Sequence, residues 1–248
     1  MIYFVGAGSG DVELITVKGK RLLEEASLVV YVGSLVNPAL LEYCRPDCEK
    51  VDSARLTLEE IIALLCARRE DETVVRLHTG DPSLYGAIAE QMRLLDERGR
   101  AYQIVPGVSS MSAAAAALKA EFTPPGVSQS VIISRRAGRT AVPEKESIPS
   151  LASHGASMVL FLSAGMLKDL CRELIEGGYP PDTPAAVVYK ASWPDEEIVR
   201  GSLCDISEKA QHITKTALVL VGDFLKGGVE RSRLYDPGFS HGYREAEK

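Results

Sequence analysis

The chain has 248 residues, 46% of them hydrophobic and 25% charged, with a formal net charge of −6. That length suffices for one large α/β domain or for two modest ones with separate cores. The acidic balance argues against a non-specific nucleic-acid binder, which needs a basic face. Apolar runs such as Met158–Leu162 and Ala217–Val221 fall far short of the ~20 residues that span a bilayer.

Chain order begins with Ile2–Val5, a β-rich run leading into glycines, with no basic region or cleavage-like site before it. No signal peptide is therefore expected. Thr16–Glu25 predicts a helix and Leu28–Val32 a second strand, with Glu49–Asp52 a weaker one. Thr57-Leu58-Glu59-Glu60 matches a capping box and opens a helix to about Arg69. Thr73–Leu77 predicts a strand, Leu84–Arg98 a helix stopped at Gly99, Tyr102–Val105 a strand, and Ser109–Leu118 an Ala-rich helix. Strands alternating with helices predict a parallel sheet, with ligands outside the carboxyl ends of its strands.

Pro124-Pro125-Gly126, within Glu121–Val127, interrupts this rhythm and predicts a boundary between a domain over 1–120 and one over 121–248. The second half is richer in strands: Ser130–Ser134, Met158–Leu162, Ala185–Tyr189, Ile198–Leu203 and Thr216–Val221, with helices over Leu167–Glu176 and Asp205–His212. A mixed sheet with antiparallel pairs is expected there. Arg139–Pro149 is polar and predicts an exposed loop, and the polar tail from Gly227 is expected to fray. The fold class is thus α/β, with an N-terminal parallel-sheet domain and a C-terminal mixed-sheet α+β domain. Cys44, Cys48, Cys66, Cys171 and Cys204 form no ligand pattern for zinc. No metal site is expected, and reduced, cytoplasmic thiols are.

Three loops follow predicted strands of the first half. Gly6-Ala7-Gly8-Ser9-Gly10-Asp11 permits close approach of backbone to a ligand, or is an ordinary glycine turn. It is no dinucleotide fingerprint, because Asp11 replaces the last glycine and Tyr31-Val32-Gly33 offers no acid for a ribose. His78-Thr79-Gly80-Asp81-Pro82-Ser83-Leu84-Tyr85-Gly86 places Asp81 where it accepts hydrogen bonds from ligand hydroxyls or from backbone N–H groups, or where Asp81 and Ser83 cap the helix predicted from Leu84. Val105-Pro106-Gly107-Val108-Ser109-Ser110 leaves free N–H groups at a helix start, or a serine N-cap. All three share the carboxyl edge of one sheet and describe a pocket for a nucleoside-like, mostly neutral ligand. The Walker spacing that marks a phosphate cradle is absent.

The order Gly-x-Gly-x-Gly-Asp, Thr-Gly-Asp-Pro-x-x-Tyr-Gly, Val-Pro-Gly-x-Ser-Ser resembles the tetrapyrrole (precorrin) methyltransferases, over about residues 1–225. Ser134-Arg135-Arg136-Ala137-Gly138-Arg139-Thr140-Ala141-Val142-Pro143-Glu144 and Val188-Tyr189-Lys190-Ala191-Ser192-Trp193-Pro194-Asp195-Glu196 resemble segments of the precorrin-4 carbon-11 branch. The resemblance implies a homodimer of two-domain chains, with S-adenosylmethionine bound in the cleft between the domains and S-adenosylhomocysteine as product. It carries cofactor contacts onto Ser9, Gly80, Asp81, Tyr85, Ser109, Ser110, Leu162, Ala191 and Ala217. Ser9 stands where most members have proline.

The substrate implied is precorrin-4 or cobalt-precorrin-4, methylated at ring carbon 11 on the way to cobalamin. Its carboxylates make Arg135, Arg136, Arg139 and Lys190 candidate substrate ligands. From charge alone a solvated basic loop is the more ordinary reading. Methyl transfer from a sulfonium has a neutral leaving group and demands alignment rather than an acid–base pair, and no catalytic residue is assigned. The alternatives are another tetrapyrrole methyltransferase of the pathway, a same-fold RNA ribose methyltransferase or diphthine synthase, a non-catalytic nucleotide-binding domain, and an NAD oxidoreductase. The acidic charge and the Trp193 segment favour the tetrapyrrole, a small-molecule substrate, with no nucleic-acid or membrane partner.

Overall fold

The computed structural model describes residues 1–227 and 232–246. The chain divides into two compact units, 1–114 with Lys190–Glu196, and 115–189 with 197–248. The division falls inside an α-helix, and the Pro124-Pro125-Gly126 break lies within the second unit.

The first unit holds β1 (Ile2–Gly6), α1 (Val17–Glu25), β2 (Leu28–Tyr31), β3 (Glu49–Asp52), α2 (Leu58–Cys66), β4 (Val74–His78), α3 (Ile88–Asp96) and β5 (Tyr102–Val105). α4 (Ser110–Leu118) spans the division. The strands form one sheet in the order β3-β2-β4-β1-β5, parallel throughout. Alternation along each strand sends Val5, Val29, Val75 and Leu77 to a core with Leu22 and Leu23 of α1. Ile2, Phe4, Leu28, Val30 and Val74 pack on the other face with Ile62 and Leu65 of α2 and Leu95 of α3.

The second unit holds β6 (Val131–Arg135), α5 (Ile148–Ala152), β7 (Ser157–Phe161), α6 (Leu167–Glu176), β8 (Pro184–Tyr189), β9 (Glu197–Ser202), α7 (Ile206–Lys209) and β10 (Ala217–Val221). Its sheet runs β6-β7-β10-β8-β9; β6 and β7 are parallel and the other pairs antiparallel. Met158, Leu160, Val187 and Val219 face Leu170 and Leu174 of α6 and Ile206 of α7 in a single core. The parallel and mixed sheets are as the sequence predicts.

Three local departures have physical causes. The helix predicted from Leu84 starts at Ile88, because Tyr85 and Ala87 adopt left-handed backbone (φ 56° and 49°), which ends the loop before helical geometry can begin. α2 stops at Cys66 rather than near Arg69; there the Glu72 carboxylate takes the Arg69 N–H at 2.9 Å. The expected loop over Arg139–Pro149 ends in α5, which the sequence pattern hides because it is short and holds Pro149 in its first turn, where a missing N–H is harmless. Ile148 and Ala152 bury this helix against the core. Part of the tail from Gly227 lies outside the described residues, and Arg233–Tyr235 within it forms a 3₁₀ turn.

The capping box forms as read: Thr57 Oγ1 accepts the Glu60 N–H, and Glu60 accepts the Thr57 N–H at 2.7 Å. Thr57→Ala should lower stability by about 1 kcal/mol, seen as a lower urea midpoint with an unchanged slope.

Candidate active site

The loops after β1, β4 and β5 are neighbours because β4, β1 and β5 are adjacent in one parallel sheet. Their backbones touch directly. A Cβ on Gly6 would lie 2.5 Å from the Gly107 Cα and 2.6 Å from the Gly80 carbonyl oxygen, and one on Gly107 would lie 2.7 Å from the Gly6 Cα. Side chains are excluded from this junction by contact alone. Gly80 is needed for a different reason: it has left-handed backbone (φ 61°), and a Cβ there would meet nothing nearer than 3.6 Å.

Hydrogen bonds lock the junction. The Ala7 N–H donates to the His78 carbonyl at 2.7 Å, and Gly80 N–H donates to the Gly8 carbonyl at 2.7 Å. Asp81 joins two loops, since its Oδ2 accepts the Gly107 N–H at 2.8 Å while its Oδ1 accepts the Ser83 N–H at 2.8 Å and the Ser83 hydroxyl. Burial alone would raise the Asp81 carboxyl, but the bonds from Ser83 and Gly107 outweigh it and hold it below the ordinary carboxylate value. Asp81 does not cap a helix at Leu84, since no helix begins there. Ser109 accepts the Met111 N–H at 3.3 Å, as an N-terminal cap of α4 would, and Ser110 is the first helical residue. Asp11 caps the turn at Val12–Leu14, so it too has a local task.

The first loop has a further partner from far along the chain. Ser9 is buried; its hydroxyl lies 2.8 Å from the Ser192 hydroxyl, which also accepts the Asp11 N–H at 3.1 Å. The Trp193 Nε1–H donates to the Ser9 carbonyl at 2.9 Å. Ala191 is buried beside them. Lys190 pairs with Asp195 at 2.6 Å, and its ammonium lies 5.2 Å from the Trp193 ring centroid.

In the second unit, Leu162 follows β7 and Ala217 opens β10. The antiparallel register that sets Val219 against Leu160 brings these two to the same end of the sheet. Tyr189 pairs with Ala217 there, and Arg135 with Phe161. Leu162 is exposed yet left-handed (φ 53°). The basic segment is more engaged than its charges suggest. Arg135 donates to the Thr140 and Ala141 carbonyls at 3.2 and 2.7 Å. Arg136 is held by Glu173 at 2.6 Å, and that bond favours its charged form. Arg139 is exposed and takes part in no ion pair among the described residues. The candidate residues thus form two groups, each at one edge of its own sheet: Ser9, Gly80, Asp81, Tyr85, Ser109, Ser110, Lys190 and Ala191, and Leu162, Ala217, Arg135, Arg136 and Arg139.

The signal that the sequence lacked is backbone strain. Among the described residues, the left-handed non-glycine positions are Tyr85, Ala87, Lys119, Leu162, Lys190, Ser192 and Thr216. All but Lys119 lie in or beside the candidate segments, and such strain of about 1–3 kcal/mol per residue gathers where a surrounding structure enforces it. Sequence reading also missed Trp193 as a structural partner of the first loop, and the buried Arg76 beneath the second, which lies two residues before the equally buried His78. Burial lowers His78 to about 3, assisted by the Arg76 charge, so this imidazole is neutral and no proton donor at neutral pH.

The fold and these edges define a class: a two-unit α/β protein whose parallel sheet carries a junction of glycine backbones at its carboxyl edge. The family model of the Tetrapyrrole (Corrin/Porphyrin) Methylases matches residues 1–207. A cobalt-precorrin-4 C(11)-methyltransferase of Methanocaldococcus jannaschii is 53% identical, covering 100% of this chain and 97% of its own. A solved cobalt precorrin-4 methyltransferase superposes with TM-score 0.88 at 47% identity, over 90% of this chain and 95% of that one. A uroporphyrin-III C-methyl transferase from Thermus thermophilus, complexed with S-adenosylhomocysteine, superposes with TM-score 0.76 at 30% identity, over 91% and 98%. The chain belongs to the tetrapyrrole (corrin/porphyrin) methylases.

Two outcomes follow from this geometry. Gly107→Ala forces a methyl into backbone and should destabilise the protein by about 2 kcal/mol, read from urea unfolding. His78 is a base whose folded pKa, about 3, lies below its ordinary 6.5. Between those values the unfolded chain binds the extra proton, so stability falls as pH drops below 6.5. The loss approaches about 1.4 kcal/mol per pH unit. Calorimetry at pH 7 and pH 5 should show it, and His78→Gln should flatten the difference.

Proposed function

We propose that this protein transfers a methyl group from S-adenosylmethionine to ring carbon 11 of cobalt-precorrin-4, in the building of the corrin ring. The observation that carries the reading is the junction of three loops on adjacent strands β4, β1 and β5. Its chemistry fits this methyl donor. The loops bear Asp11 and Asp81 and no lysine or arginine, which suits a cationic sulfonium. The relatives named above extend the same reading to the substrate.

S-adenosylmethionine supplies an electrophilic methyl and leaves as a neutral thioether. The chain's own task is then to bind and align, and to keep the reacting atoms dry. Gly80 supplies the left-handed turn of the second loop, while Asp81 holds the second and third loops in register. Ser9, Tyr85, Ser109, Ser110, Leu162, Ala191 and Ala217 are the remaining proposed cofactor contacts. Arg139 is the first choice for a substrate carboxylate, being exposed. Arg135, Arg136 and Lys190 would serve only by exchanging their present partners. The neutral state of His78 agrees with a reaction that needs no general acid.

The same reading makes the protein a homodimer working in the cytoplasm. Its cysteines are all free, and among the described residues no helix is long and apolar enough to cross a membrane.

The test is methyl transfer from isotopically labelled S-adenosylmethionine to cobalt-precorrin-4 and, separately, to metal-free precorrin-4, with the product's carbon skeleton read by NMR. A new methyl at carbon 11 is expected, and faster turnover of the cobalt form. A methyl at another carbon, or none, overturns the assignment. Arg139→Ala should raise KM for the tetrapyrrole about tenfold, the loss of one charge-assisted contact, with kcat little changed.

A further inference from the structure

Trp193 is not among the proposed cofactor or substrate contacts, yet it is the side chain that presses hardest on the first glycine loop. A Cβ on Gly10 would overlap the indole ring. The indole N–H holds the Ser9 carbonyl at 2.9 Å, and the neighbouring Ser192 hydroxyl holds both the Ser9 hydroxyl at 2.8 Å and the Asp11 N–H at 3.1 Å. Asn37 Nδ2 completes the clamp by donating to the Gly10 carbonyl at 2.8 Å. Three consecutive loop residues are therefore fixed from outside the loop.

The clamp is itself braced. Ser192 N–H donates to Glu196 at 2.7 Å, Trp193 N–H to the Lys190 carbonyl at 2.9 Å, and Lys190 pairs with Asp195 while facing the indole. Left-handed backbone at Lys190 and Ser192 (φ 45° and 68°) aims the segment. Glycines at 6, 8 and 10 leave the first loop with little rigidity of its own. Trp193 belongs to none of the hydrophobic cores, so core packing does not account for it.

We infer that Trp193 is a positioning residue: it sets the shape of the Ser9–Asp11 loop and, through that loop, the affinity for the methyl donor. The inference rests on the adenosylmethionine reading of the loops. A loop preorganised by an outside clamp binds without the entropy loss of ordering, so the effect falls on binding and not on the chemical step.

The experiment is calorimetric titration of the wild type and Trp193→Phe with S-adenosylhomocysteine, alongside KM for S-adenosylmethionine, kcat and Tm. Phenylalanine keeps a ring against Gly10 and removes the N–H. Kd and KM should rise about three- to tenfold, as loss of one hydrogen bond implies, with kcat at saturation and Tm nearly unchanged. Ser192→Ala, which leaves the indole intact, should shift Kd in the same direction. Equal affinity in wild type and both variants overturns the inference, as does a fall in Tm or kcat with affinity unchanged, which would make Trp193 a packing residue. If the wild type binds no S-adenosylhomocysteine, the adenosylmethionine reading itself fails, and the two failures are thereby told apart.

Discussion

The first unit depends on one contact: three glycine backbones meeting where β1, β4 and β5 end. At Gly6 and Gly107 the peptide planes are so close that the smallest side chain would force strands apart. That closeness brings the three loops within hydrogen-bonding range, so the Gly8–Gly80 pair can form and Asp81 can reach Gly107. The loops inherit their arrangement from the sheet order, and the order from burial of β4 and β1 between helical layers. A parallel sheet exposes the N–H groups of its following turns at one edge, so a ligand site is the natural use of that edge.

Beneath this junction β4 carries a polar pair on an otherwise apolar face. Arg76 donates to the Val30 carbonyl at 3.2 Å and to Gln91 at 3.3 Å, while Gln91 donates onward to the Ala87 carbonyl at 3.0 Å. Burial lowers Arg76 to about 10, which still leaves it charged at neutral pH. No carboxylate pairs with it among the described residues, so carbonyl and amide dipoles carry the compensation. The chain of bonds runs from β2 through β4 to the left-handed residue that begins α3. The loop that bears Asp81 and Tyr85 is thus anchored at both of its ends, by the strand before and the helix after.

Much of this was legible in the sequence where local chemistry and burial agree. Glu49–Asp52, Tyr102–Val105 and Leu167–Glu176 fall where composition and period place them. The three loops sit at the strand ends because strand–helix alternation determines a parallel sheet. That Asp81 takes backbone N–H groups was open to sequence reading, but its partner in another loop was not, nor were the structural duties of Arg135 and Arg136. Each is a polar residue in a ligand-like pattern, and only three-dimensional neighbours such as Gly107, Ala141 and Glu173 reveal what holds it. Trp193 and Ser9 are 184 positions apart, a separation over which one sequence gives no pairing signal. The short α5 escaped for the opposite reason, since five residues cannot display a helical period.

The strained positions link these observations to the chemistry. An in-line methyl transfer gains from placement to within fractions of an ångström, and little from titrating groups. A protein can obtain such placement by forcing backbone into conformations that only its surroundings sustain. Tyr85 and Ala87 follow the Asp81 bridge, Lys190 and Ser192 flank the segment that carries Trp193, and Leu162 and Thr216 stand at one end of the mixed sheet. Lys119 aside, the strain in each unit lies at the sheet edge that carries its candidate residues, and the cores behind it are apolar and closely filled. Rigid packing there supplies the force that keeps the edges strained. The same packing removes His78 from acid–base work by holding it neutral. Placement is therefore built into the fold at the level of backbone.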